Sequence, residues 1–126
     1  MSTVATLFAA ATTALAAAPD VTAFTERAPD GYDYAATPAV VVAQPDAFEG
    51  LGSDRDGDAR AVLAVARCYG PLADAVRLSE RVADLWLALD AAGLARAEFV
   101  RNVAIPNRDP SVRYAGREVA VRLTCF

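Results

Sequence analysis

Apolar residues recur at helical spacing from the start of the chain. Val4, Leu7, Phe8, Ala11 and Leu15 fall on one face, which predicts a helix over residues 3–18. Ser2 or Thr3 can cap it and Pro19 stops it. Val21 to Glu26 reads as a short strand. Ala28-Pro29-Asp30-Gly31 is a turn signal. Tyr32 and Tyr34 then alternate with Asp33, as suits an edge or interface segment. Pro38 to Gln44 holds the run Val40-Val41-Val42 of a buried strand, with prolines at its start and just past its end. Residues 45–58 form a long loop with three glycines and five of the sixteen acids. Phe48 and Leu51 are its bulky apolar members. They either pin the loop to the core or project towards a partner.

Ala59 to Tyr69 is a long strand, apolar enough for burial on both faces. Gly70-Pro71 opens the strongest helix of the chain. Its apolar stripe is Leu72, Val76, Val82, Leu85, Trp86 and Leu89, with Trp86 in the core. Asp74, Arg77 and Arg81 stand at spacings that let opposite charges meet along the helix. Gly93 is its C-terminal stop. Glu98 to Ile105 is the next strand, and 106–110 the turn after it. Val112 to Phe126 is the last strand or pair of strands, with Gly116 as a bulge or bend. Val119, Val121, Leu123 and Cys125 alternate with Glu118, Ala120, Arg122 and Thr124, so one face is buried. The fold class is α+β: one mixed, mostly antiparallel sheet packed by two helices. The order is α-β-β-β-α-β-β, in a single domain over 1–126, with antiparallel pairing expected between strands joined by turns.

Composition changes this picture mainly by exclusion. All 12 basic residues are Arg, with no Lys and no His, and the net charge is −4. The charge lacks the basic footprint of a nucleic-acid binder. Without His, the commonest general base is missing. Without Lys, Schiff-base chemistry and Walker-type phosphate binding are missing. None of the four serines lies in a Gly-x-Ser-x-Gly elbow. Cys68 and Cys125 sit in apolar strand-like runs and read as small buried hydrophobes. A disulfide between them needs strand pairing that places their Cα atoms together. Clustered Cys or His ligands for zinc do not occur.

Asp33, Asp54, Asp56 and Asp58 could supply a catalytic carboxylate pair, but the plainer reading is solvated loop acids. Asp54-x-Asp56-x-Asp58 opens like an EF-hand loop. Such a loop needs Gly at its sixth position and Glu at its twelfth, where Ala59 and Val65 stand. The sequence therefore carries no expectation of a metal, a cofactor or catalysis. Tyr32 and Tyr34 are candidates for an interface, against ordinary packing beneath the 45–58 loop. Asn107, Arg108 and Asp109 make a hairpin tip. Ala16-Ala17-Ala18-Pro19 has the look of a signal cleavage site, but no Arg or Lys precedes Arg27. A helix of the mature fold is the better expectation.

The leading helix, the Pro-initiated strand from Thr37 to Val42 and the acidic Gly-rich loop are followed by the long strand Arg60 to Tyr69. Then come the helix Pro71 to Ala92 and the closing hairpin Phe99 to Phe126. In length, element order and style of composition the chain resembles the tail terminator (tail completion) proteins of long-tailed bacteriophages. The resemblance implies a hexameric ring on the end of the tail tube, at the head-proximal end of the virion tail, assembled in the host cytoplasm. Its partners would be further copies of itself, the tail tube protein and the head–tail connector protein. DNA would pass through the lumen without specific binding, and no membrane is involved. The family has no motif to carry over residue by residue. The interface candidates Tyr32, Tyr34, Phe48, Leu51 and Arg108 rest on local character alone. Three alternatives stand beside this: a head-completion or neck connector protein, a secreted small-ligand-binding module, and an enzyme working with carboxylates only.

Overall fold

The computed structural model describes residues 3–43, 61–107 and 109–125. Seven elements follow the chain: α1 (Thr3–Ala16), β1 (Ala23–Thr25), β2 (Ala39–Val42), β3 (Ala61–Gly70), α2 (Leu72–Ala91), β4 (Arg96–Ile105) and β5 (Ala115–Thr124). This is the α-β-β-β-α-β-β order that the sequence pattern predicts. The strands form one mixed sheet in the order β1-β2-β3-β5-β4. β3 and β5 lie inside it, and β1 and β4 are its edges.

Alternation along the strands decides what each face carries. Val40 and Val42, Val62 and Ala66, and Val119, Val121 and Leu123 point to one side. There they meet Leu7, Ala11 and Leu15 of α1 and Leu78, Val82, Trp86 and Leu89 of α2. Both helices therefore cover the same face of the sheet. Trp86 is fully buried and its indole Nε1–H donates to the carbonyl of Ala11 at 3.1 Å, joining α2 to α1.

Four local expectations are corrected. Leu72, placed on the buried stripe by spacing, is 66% exposed, because the first turn of α2 begins beyond the end of β3; Ala75, Leu78 and Ala83 carry the burial instead. Arg81 does not meet Asp74. It donates from Nε to Oδ2 of Asp20 at 3.0 Å, tying the segment after α1 to α2, while Asp74 meets Arg77 at 3.4 Å. The bulge falls in β4 between Phe99 and Arg101, not at Gly116. Gly116 stays in register with Tyr69 and Ile105. A Cβ there would stand 3.0 Å from the Tyr69 ring and 3.2 Å from Ile105, so the glycine is needed for close approach. β5 also starts only at Ala115, after a turn held by Asp109, which accepts from the Ser111 N–H at 2.9 Å.

A fifth correction is topological. β1 and β2 pair in parallel, whereas the other neighbours pair antiparallel. The chain leaves β1 at Glu26, whose φ of 73° is unusual for a residue with a side chain. The turn is fixed by its N–H, which donates to Val42 O at 2.7 Å. The chain then crosses the helix-free face of the sheet and re-enters at Ala39. The sequence reading missed this because the Pro-Asp-Gly signal marks a turn without saying that the chain runs on across a face.

Where the crossover rejoins the sheet, Gly70 packs against Pro38. A Cβ at Gly70 would lie 2.8 Å from the Pro38 Cβ. The proline ring cannot rotate away, so Gly70→Ala is expected to cost about 1–3 kcal/mol. The midpoint of urea unfolding checks it.

Asp20 supplies a second test. Its hydrogen bonds from Arg81 hold its carboxyl below the ordinary value of 3.8. A lowered folded pKa stabilises above the unfolded value, and that stabilisation fades as pH falls below it. The stability difference between the native chain and Asp20→Asn should be constant from neutrality to about pH 5 and shrink towards zero in acid. Thermal melts across pH read it directly.

Candidate interaction surface

Neither helix covers the second face of the sheet, where Val65 and Ala120 are nonetheless buried, and the crossover lies over one end of it. Alternation puts Phe24, Val41, Tyr69 and Gly116 at that end. Tyr32 and Tyr34, carried by the crossover, come down onto them. The rings form a continuous chain: Phe24 to Tyr32 at 5.0 Å, Tyr32 to Tyr34 at 5.0 Å and Tyr34 to Tyr69 at 4.9 Å. Tyr114, just before β5, closes the cluster at 5.1 Å from Tyr34 and 5.7 Å from Tyr69. Tilted and edge-on rings at these separations attract beyond their area burial, by about 0.5–1.5 kcal/mol per pair.

Burial raises the phenol of Tyr34, with the neighbouring tyrosines adding to it. Burial likewise raises Tyr69, against the pull of Arg67. The Tyr32 hydroxyl is enclosed and has no hydrogen-bond partner among the described residues. Tyr32 lines a cavity of about 430 Å³, walled by the crossover from Glu26 to Tyr32, by Tyr34, and by Val41, Arg67 and Tyr69. A smaller recess of about 150 Å³ opens on the other side of Tyr69, against Pro106 and Tyr114.

Beyond the tyrosines this face becomes charged. Arg67 on β3 and Arg101 on β4 reach the same Glu118 on β5, at 3.5 and 3.1 Å. Arg122 meets Glu98 at 3.4 Å. The four strand arginines here, Arg67, Arg96, Arg101 and Arg122, face only two strand glutamates. The side chains stay well exposed, 45% for Arg67 and 44% for Arg122, so each pair contributes little to stability by itself. At the rim, edge strand β4 exposes Phe99, Val100 and Val103, and Leu94 precedes it. On the helix side β4 is clamped: Asn102 donates to the buried Ser79 hydroxyl of α2 at 2.9 Å and accepts from Arg117 Nε at 3.0 Å.

Of the residues singled out from sequence, Tyr32 and Tyr34 come together, half-buried, in the ring cluster. Phe48, Leu51 and Arg108 lie outside the described residues, as do Asp54, Asp56 and Asp58. Asn107 and Asp109 are exposed, and hydrogen bonds from Ser111 lower the Asp109 carboxyl. Sequence reasoning missed Tyr69, Tyr114 and the Arg67–Glu118–Arg101 chain. Pairing β3 with β5 in register would have set Tyr69 opposite Gly116 and Arg67 opposite Glu118.

The two cysteines are free. Cys68 pairs with Arg117 near one end of the β3–β5 ladder, and Cys125 follows Thr124 at the other, beside Ala61. Seven residues of strand, roughly 23 Å, separate the two places, far beyond disulfide reach. Burial pushes the Cys68 thiol up to about 12.

Among the described residues no group of three or more Cys, Asp or Glu could hold a metal ion, and no helix is long and apolar enough to cross a membrane. No family model matches the chain, and no curated protein matches it.

Proposed function

We propose that the chain is a structural subunit that works by associating with copies of itself and with other proteins, as a phage tail terminator does. The observation that carries this reading is the arginine-bearing sheet face that neither helix covers. A sheet clad by helices on one side only, with arginines on the other and apolar groups along edge β4, has surface left over for a partner. Supporting it, the element order is the one on which the resemblance to tail terminators rests, and the chain lacks imidazoles and primary side-chain amines altogether. In this role the protein forms a ring, six copies in the family it resembles, that caps the tail tube. The ring meets the connector on the head side and lets DNA pass.

Electron microscopy of purified tail tubes mixed with the protein tests this. The expected image is density at one finished tube end. Density along the tube, or binding to isolated connectors with none to tubes, would favour the head-completion reading instead. A second reading, a small-ligand-binding module, draws on the tyrosine-lined cavity of about 430 Å³, a size common for such sites. Intact mass after expression in a secreting host addresses it. Loss of the first eighteen or so residues on export would support the secreted module against the virion protein.

A further inference from the structure

The two broad faces of the molecule carry opposite surplus charge. On α2, the residues turned away from the sheet include Ala73, Arg77, Glu80, Asp84 and Ala88, all exposed. Arg77 is held by Asp74, and Arg81 beside it by Asp20. Glu80 and Asp84, one helical turn apart, form no salt bridge among the described residues, although Asp84 stands near enough to Arg81 to favour its charged form. The sheet face without helices has the reverse surplus: Arg67 and Arg101 share one carboxylate, Glu118. Small alanines on the helix ridge allow a flat surface to approach closely. Val65 and Ala120 between the arginines are already buried, so the exposed arginine heads are what such a ridge meets.

We propose that copies of this chain associate front to back, with the outer ridge of α2 on one copy lying over the arginine-bearing sheet face of the next. Glu80 and Asp84 then reach Arg67, Arg101 and Arg122 of the neighbour. The contact joins two different patches, so repetition gives a ring where the rotation closes. It rests on the reading of the chain as a self-associating subunit, and it names the surfaces that reading leaves open. A like-signed contact of either face with itself is disfavoured by the same charges.

Charge reversal in complementary pairs tests it. One variant is Glu80→Arg with Asp84→Arg, and the other is Arg67→Glu with Arg122→Glu. Arg101 is kept on Glu118 so that the sheet retains an ion pair there. Light scattering behind size exclusion, at low salt and at about 0.5 M salt, reads the mass, and thermal melts verify that each variant folds. The native chain should form oligomers that weaken as salt screens the contact. Each variant alone should need at least about a tenfold higher concentration to assemble. An equimolar mixture should regain native assembly with the two variants in equal amounts, and so should a chain carrying all four reversals. Neutral Arg67→Gln with Arg122→Gln, milder for folding, should weaken assembly less and not be rescued by the helix variant.

Oligomers that persist in both variants, or a mixture that fails to regain assembly, overturn the front-to-back contact while leaving tube capping intact. A native chain that is monomeric at low salt also overturns it. Capping then stands or falls on tube micrographs alone. Retention of DNA or of an acidic protein through Arg67 and Arg122, with native assembly unaffected by their loss, assigns the arginines to that partner and not to a second copy.

Discussion

Trp86→Ala is expected to remove about 3–5 kcal/mol of stability, the largest effect of any single substitution in the core. The indole is fully buried and lies where α1, α2 and the sheet meet. Truncation leaves a cavity that side chains from three separate elements would have to close, and close packing allows little relaxation. It also removes the donor that Nε1 supplies to the Ala11 carbonyl at 3.1 Å, a side-chain hydrogen bond between the helices. For a chain of this size a loss of that order lowers the melting temperature by roughly 10–20 °C. Trp86→Phe separates the two contributions. It keeps most of the apolar volume and loses the N–H, so it should fall well short of the alanine variant. Equal losses for the two would mean that the hydrogen bond, and not the packing, holds α1 in place.

The same residue shows what can be read from a sequence and what cannot. Trp86 sits at a helical spacing that predicts burial, and burial follows, because the period of a helix is a local property. Element order was legible for that reason: each run of apolar periodicity is bounded by Pro or Gly, as at Pro19, Pro38 and Gly93. Positive φ at Gly93 makes it the C-terminal stop that its position suggests. Pairing was less legible. The direction of β2 against β1 depends on where residues 26–38 run, and nothing in Pro29-Asp30-Gly31 separates a hairpin turn from the start of a crossover. The partner of Arg81 was misplaced for a similar reason. Helical spacing offers Asp74 and Arg77, while the observed partner, Asp20, is distant in the chain.

Site residues divide along the same line. Tyr32 and Tyr34 stood out because bulky rings alternate with an acid in a turn-rich stretch. Tyr69 and Tyr114 did not, because each is unremarked within its own segment and matters only once β3 and β5 are in register. Likewise Arg67, Glu118 and Arg101 are ordinary strand charges until three strands bring them side by side. The tyrosine- and arginine-bearing face is thus a product of topology. Local pattern marks which residues are apolar or charged, and the topology decides which of them share a face.

Tyr34→Ala should therefore act first on the monomer. Tyr34 touches three rings, those of Tyr32, Tyr69 and Tyr114, at 5.0, 4.9 and 5.1 Å. No other ring in the cluster links the crossover to both β3 and the segment before β5. Losing a half-buried aromatic with those pairings is expected to cost about 2–4 kcal/mol. Tyr34→Phe keeps the ring contacts and should cost far less. Aromatic circular dichroism should report the loosened cluster in the alanine variant, and urea unfolding its stability. Assembly separates the two roles open to this residue. If Tyr34 pins the crossover, stability falls and the oligomers that form keep their native salt dependence, because the charges on the α2 ridge and the sheet face are untouched. If it serves a partner instead, unfolding is unchanged and assembly or tube binding weakens. The geometry argues for the first, since a ring already in contact with three others has little face left to offer.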